Sequence, residues 1–478
     1  MTSAAVALVL ANLAYWIAGI GALLALGFVD AGTSTWSRIP AAYLFGVVIV
    51  VVPSSYLALL GVAVGWTAIS VAIVVLFAIG LVRLRRAEPG SPPRRRARRV
   101  SDLFAGALAV LLIGLAGFVL VRAWQTFIVT PLYVSDAWVV WAARARLLYE
   151  LPADAPGILR GTNYGPPSYP LAMPELEALT FRAIGRFDGT LIDLQLLALV
   201  FGLLGAMWSL SRGRARTWLV ALVALAMLTA PQFVVQLGTS FVDIPLAVFV
   251  GSALLAGARW LSRADEDRWS LTCFVAFAGM AGLLKNEGTM FALAAVVSLL
   301  ICARWTSGRS IRDAVVSAAG VAVMVVPWRL YGAAYRLPTA DYDLKDVFNP
   351  IYLADHAERV GPVLSELLSE LSDPSRWGLL LPVVVLGLVA GVLSSRWTTG
   401  LFAVLWIVLA FVGLVMTYWV SVLPLTNDLF NSSYRTTASL VLGTACLVPM
   451  LVDDAITLTA NRVTRGVSGV SARLRPSR

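Results

Sequence analysis

Charge is scarce in this chain: Asp, Glu, Lys and Arg make up only 13% of its 478 residues, where soluble domains carry about 25%. Hydrophobic residues make up 59%. A water-facing globule has no interior for so much apolar surface, which needs hydrocarbon outside it. Cysteine is nearly missing. Cys273, Cys302 and Cys446 all fall in or beside apolar runs, which excludes a disulfide framework and a zinc-type spacing. A single histidine, His356, cannot build a His-rich metal site, and it is expected in a water-facing loop. No metal ligand set and no cofactor are indicated. No Gly-rich nucleotide loop lies outside the apolar runs, and no internal repeat is evident. Lysine occurs only as Lys285 and Lys345. The dominance of Arg fits a GC-rich, bacterial coding genome.

What is abundant is apolar runs of bilayer-crossing length, roughly 20 residues each. They fall near 4–28, 40–60, 62–82, 102–122, 190–210, 217–233, 243–261, 270–284, 288–303, 314–331, 377–395, 399–420 and 437–453. The first lacks a basic n-region and is too long for a signal-peptide core, so it reads as a retained helix. The expected fold is an all-α integral membrane protein with about thirteen spanning helices and amphipathic surface helices in its loops. Its expected division is a three-helix segment (1–82), an Arg/Pro-rich linker (83–100), a transmembrane core (101–453) and a basic tail (454–478).

The net charge of +10 is distributed as orientation charge, not as a nucleic-acid-binding face. Residues 83–99, with Arg94, Arg95 and Arg96 at their centre, should be cytoplasmic. The same register puts Arg212, Arg214, Arg216, Arg304, Arg309, Arg312, Arg396 and the tail inside. It places the N-terminus outside and the C-terminus in the cytoplasm, as for a multi-pass plasma (inner) membrane protein of the cell envelope. Segments 123–189, 234–242, 285–287, 332–376 and 421–436 are then exported. They hold nearly every residue with chemical potential.

The first exported segment contains Asp136-Ala137-Trp138 and continues to Glu150. At about 100° per residue, Trp138, Trp141, Ala145 and Leu148 share one face, with Asp136, Arg144, Arg146 and Glu150 opposite. That predicts an amphipathic helix on the outer membrane surface. An acid there can meet a lipid-anchored donor and a polar acceptor together, and transfer of a sugar to a hydroxyl needs such a base. Asp136 could equally cap the helix. Downstream, Tyr164 and Tyr169 sit in a Pro-rich turn where they could stack on a sugar ring or simply shape the turn. Asp243 heads a span, where the helix dipole favours a carboxylate. Lys285 and Glu287 lie at an apolar boundary, as a phosphate-binding group or as an ion pair with each other. Arg435 offers a forked contact to phosphate, and Arg329 is a weaker candidate. A second surface helix is expected in 332–376, with Val360, Leu364, Leu367 and Leu371 on one face and Glu358, Glu366 and Glu370 on the other.

Several spaced features between Leu103 and Met450 together resemble the glycosyltransferase C superfamily, membrane enzymes that use polyprenyl-phosphate-linked sugars. They are Ser135-Asp136-Ala137-Trp138 after a span, Tyr169-Pro170-Leu171, and Thr239-Ser240-Phe241-Val242-Asp243-Ile244-Pro245. Lys285-Asn286-Glu287-Gly288, Pro327-Trp328-Arg329 and Ser432-Ser433-Tyr434-Arg435 follow. The resemblance implies an inverting glycosyltransferase with Asp136 as catalytic base. Its donor would be a polyprenyl-phosphate sugar, its acceptor a lipid or glycan hydroxyl, and its active site would lie on the outer face. The chain departs from relatives that carry a paired Asp-Glu in this loop, which puts a metal-bridged acid pair in doubt, and it lacks a large soluble outer domain. A transporter or flippase for a lipid-linked saccharide, or a non-catalytic lipid-binding scaffold, are the competing readings.

Overall fold

The computed structural model describes residues 2–29, 35–86, 100–127, 132, 134, 136–161, 166–262, 267–306, 310–338, 346–394 and 397–459. The described residues are all-helical, without strands. Among them nine helices are long and apolar enough to cross a bilayer. Thr217–Thr229 and Pro231–Leu237, bent by 66°, add a tenth if they count as one span. The remaining three expected runs fall on shorter apolar helices, Gly106–Arg122, Arg268–Leu284 and Leu380–Leu393. The chain is therefore an all-helical membrane protein.

Local chemistry sets the breaks. Pro231 cannot donate to the preceding turn, and the bent pair kinks there. Lys285 is a single extended residue (φ −152°, ψ 161°) between helices Arg268–Leu284 and Asn286–Trp305. Those two helices close tightly because Gly288 has no side chain: a Cβ there would sit 1.9 Å from the carbonyl oxygen of Ala281. Gly46 serves the first helix pair likewise, since its Cβ would lie 1.7 Å from the Tyr15 carbonyl oxygen.

Helices Thr2–Leu26, Ala42–Ala58 and Trp66–Arg86 share one continuous apolar core with the rest of the chain. Polar contacts pin them in place. Asn12 donates to Gln195 (2.9 Å), Tyr43 donates to Asn12 (2.6 Å), and the Trp66 indole donates to the Leu179 carbonyl (3.1 Å). The expected boundary after residue 82 is thus a division of sequence and not of packing. Trp66–Arg86 runs into the expected linker, whose residues 87–99 lie outside the described residues, as does the tail from 460.

Two surface-helix expectations need correction. Trp141, Ala145 and Leu148 are buried as expected, but Trp138 is 49% exposed and Arg144 only 1%. Residues Asp136–Ala142 wind as a π-helix before Ala143–Glu150 continues as an α-helix. The wider turn shifts the phase, so a 100° wheel drawn from Trp138 misplaces Arg144. In helix Val360–Ser372 the buried residues are Val363, Leu367 and Glu370. Glu370, expected on the polar face, is drawn inward by Arg376 at 2.6 Å. His356 ends a short helix, half-buried, with its ring stacked on Tyr352.

Candidate functional site

The site grows from three helix starts and one helix break. Asp136 opens the π-helix, Asp243 opens Asp243–Ser262, Glu287 stands in the first turn of Asn286–Trp305, and Lys285 occupies the break before that helix. Arg435 was expected in a loop ahead of the last span. It lies instead inside helix Leu425–Ala445, because that helix begins right after Pro424 and the polar run Asn427–Arg435 continues it. Its neighbours fix the helix. Gln232 and Gln236 both donate to the Tyr434 carbonyl (2.9 and 3.1 Å), and the Ser439 hydroxyl donates to the Asp243 carbonyl (3.1 Å).

These residues, far apart in sequence, form one chain of alternating charge. Asp136 accepts from Arg435 Nη1 at 2.6 Å. Arg435 Nε donates to Asp243 at 3.2 Å. Asp243 accepts from Lys285 Nζ at 3.1 Å, and Lys285 reaches Glu287 at 3.1 Å. The Arg435 guanidinium also lies 3.8 Å from the centre of the Phe241 ring. Beyond Glu287, Asn286 accepts from Arg329 Nη1 at 2.9 Å, and Arg329 also donates to Thr289.

Burial grades along the chain. The Asp243 side chain is 1% exposed, Lys285 4%, Arg435 8% and Glu287 9%, but Asp136 is 42% exposed. Buried carboxylates of this kind are stable only with cations beside them. Only Asp136 presents its carboxylate to the surface. Its carboxylate accepts from Arg435 across the helix bundle. Glu287 has the opposite character, with one buried carboxylate oxygen that no group bonds.

Four of the expected phosphate or base candidates, Arg435, Asp243, Lys285 and Glu287, thus join Asp136 in one chain of contacts in which Arg435 is the residue that touches it, and Arg329 joins through Asn286. The fork of Arg435 is already occupied by two carboxylates. A phosphate would meet its remaining nitrogen or displace one of them. Tyr169 does not present a free ring: Trp141 stacks on it at 5.3 Å, and its carbonyl accepts from Arg144 at 2.8 Å. Tyr164 lies outside the described residues. Among the described residues no group of three or more His, Cys, Asp or Glu is placed to hold a metal ion.

Sequence reasoning missed the polar groups that sit within apolar helices. Asp193, fully buried in Gly189–Ser211, accepts from Ser240. Glu177 is buried in Ala172–Ile184. Arg144 is buried with two guanidinium nitrogens unbonded. The Tyr418 hydroxyl bonds Ser432 (2.9 Å) and Thr436 (3.0 Å) at the flank of Arg435. For Asp193 a signal existed: a lone acid inside an apolar run is costly and marks function or a hidden partner. No family model matches the chain, and searches of curated proteins and of solved structures return no match.

Proposed function

We propose that the chain is an inverting glycosyltransferase that moves a sugar from a polyprenyl-phosphate donor to an acceptor hydroxyl at the outer face of the plasma membrane, with the glycosyltransferase C fold. The observation that carries this reading is the graded ionic chain. It buries two cations beside three acids and exposes only the terminal acid, Asp136.

In this reading Asp136 takes the proton from the acceptor hydroxyl as its oxygen attacks the anomeric carbon. The bond from that carbon to the phosphate oxygen breaks on the opposite face, and polyprenyl phosphate leaves as an anion. Arg435 keeps the base aimed and, with Lys285, supplies positive charge where the leaving phosphate gains negative charge. Lys285 has three donors, two of which are spent on Asp243 and Glu287. Glu287 and Asp243 hold these cations in place before any donor arrives.

The test is transfer of labelled sugar from a panel of synthetic polyprenyl-phosphate sugars by the purified full-length protein. Release of polyprenyl phosphate that depends on an acceptor supports the reading. Binding of donors without bond cleavage by an active, folded preparation would sink it. One observation favours transport as the second reading: Asp193 sits wholly buried in a spanning helix, as path-lining acids do. Movement of an intact lipid-linked saccharide across reconstituted vesicles would point there.

A further inference from the structure

Behind the ionic chain lies a second polar cluster of a different kind. Asp193 is 0% exposed and Glu177 1%. One oxygen of each carboxylate, Oδ2 of Asp193 and Oε2 of Glu177, is buried and bonded by nothing. Among the described residues the hydrogen bond to Asp193 comes from the Ser240 hydroxyl. The group that acts on Glu177 electrostatically is Asp193, and burial followed by that like charge pushes the Glu177 carboxyl well above its usual range.

Among the described residues no cation bonds either carboxylate. Arg182, on the same helix as Glu177, is spent on Glu175 (2.7 Å) and the Leu148 carbonyl (2.9 Å). The other titratable groups on the packed helices include Tyr15, Tyr43 and the buried Arg144, whose guanidinium donates to the Tyr169 carbonyl at 2.8 Å. On the far side of Ser240, Lys285 and Arg435 are committed to Asp243. Two unpaired carboxylates in a dry interior cannot both be ionised.

Ser240 has a reason to need this partner. Its φ is +54°, a left-handed conformation that costs a non-glycine residue about 1 kcal/mol or more. It lies in the turn between Pro231–Leu237 and Asp243–Ser262, three residues before Asp243. The bond to Asp193 ties that strained turn to helix Gly189–Ser211 and so fixes where Asp243 begins its helix.

We propose that Asp193, acting through Ser240, is a positioning residue for Asp243, and that the Asp193–Glu177 pair retains at least one proton at neutral pH. A neutral Asp193 accepts from Ser240 through its carbonyl oxygen and does not compete with Asp243 for Lys285 or Arg435. The positioning role in turnover rests on the proposed transfer reaction, whereas the protonation and the tether do not.

The experiment has two substrate-free arms and one kinetic arm, all on the full-length protein. Infrared spectra at neutral pH should show a protonated carboxyl C=O band that Asp193→Asn or Glu177→Gln removes; spectra unchanged by both overturn the proton claim. Hydrogen–deuterium exchange of the 236–246 peptide should accelerate in Asp193→Leu and Ser240→Ala and stay at the native rate in Asp193→Asn, which keeps the acceptor oxygen. Equal acceleration in Asp193→Asn, or none in Ser240→Ala, overturns the tether. With a polyprenyl-phosphate sugar as donor, Ser240→Ala should lower kcat roughly 10–100-fold with KM unchanged, the effect of a misplaced site, and Asp193→Asn, which keeps the acceptor oxygen, should lower it far less. If no transfer is found with any donor while both substrate-free arms succeed, the proposed reaction fails and the tether stands.

Discussion

The same pair of helices carries an ion pair at each end, and the two pairs are built differently. Asp243–Ser262 and Arg268–Leu284 run side by side. At one end Arg259 meets Asp267 at 3.0 Å, and Arg259 also donates to the carbonyls of Leu210 and Arg212 at 2.8 Å. No buried atom of either side chain lacks a partner. Some sixteen residues away, roughly 24 Å along the helix axis, Asp243 meets Lys285, and there the ionic contacts continue. They pass to Arg435, to Glu287 and out to the exposed Asp136. The first pair joins the helices to two backbone carbonyls and to Ser270, whose hydroxyl donates to Asp267 at 2.7 Å. The second holds more charge than a joint needs, and it ends at the surface in an acid able to accept a proton. The two buried pairs are of similar length, 3.0 and 3.1 Å, and differ in that the second is linked to an exposed acid. The pairs Arg214–Asp454 (3.2 Å) and Arg216–Asp453 (3.4 Å) lie at the Arg259 end, so the contrast extends across the bundle.

That contrast can be broken most strongly at Asp136. Asp136→Asn keeps the shape and removes the base, so initial rates of sugar transfer should fall about 10²–10⁴-fold. The unfolding midpoint should fall less than in Asp243→Asn, because Arg435 keeps Asp243 as a partner. A native rate in that variant removes Asp136 from the base role.

The next effect separates the two ends of the hairpin. Asp267→Asn and Asp243→Asn each remove a buried anion from beside buried cations, a loss of about 3–5 kcal/mol in stability. Thermal unfolding in detergent should show both. Activity per folded molecule should survive Asp267→Asn and collapse in Asp243→Asn, which releases Lys285 and Arg435 together. Equal activity loss in the two variants would erase the distinction drawn between joint and site.

Smaller still is the effect of Lys285→Met. Loss of one charge-assisted contact, about 1.5–3 kcal/mol, should raise the donor KM roughly 10–100-fold, measured with polyprenyl-phosphate sugars. An unchanged KM would make Lys285 purely structural, like Arg259.

The mildest prediction concerns Glu175, on the short buried helix Ala172–Ile184. Burial raises its carboxyl from 4.5 to about 7, with Arg182 opposing the shift. The folded state then binds the proton more tightly than the unfolded state does. Its contribution to stability is complete below 4.5 and is lost as pH rises to about 7. Glu175→Gln should flatten that dependence, seen as a smaller difference in unfolding midpoint between about pH 5 and pH 8. A slope that survives the substitution assigns the pH response to another group.

The sequence by itself determined that this is a helical membrane protein. Apolar runs and scarce charge leave no alternative, because backbone polar groups in lipid must be satisfied within a helix. It also placed a break at 285–287, whereas the expected run 217–233 passed over the 66° bend at Pro231. It singled out Asp136, Asp243, Lys285, Glu287 and Arg435 as separate candidates. Only the tertiary structure decided that they touch, because Asp136 and Arg435 meet across 299 positions and no local period encodes such a contact. Packing also decided which charges are hidden. The π-helix at Asp136 rotated Arg144 inward against the α-helical phase, and helix Leu425–Ala445 took in Arg435 because Asp136 and Asp243 were there to neutralise it. Composition fixes the solvent a chain will accept; the pairing of its few charges depends on which helices lie side by side.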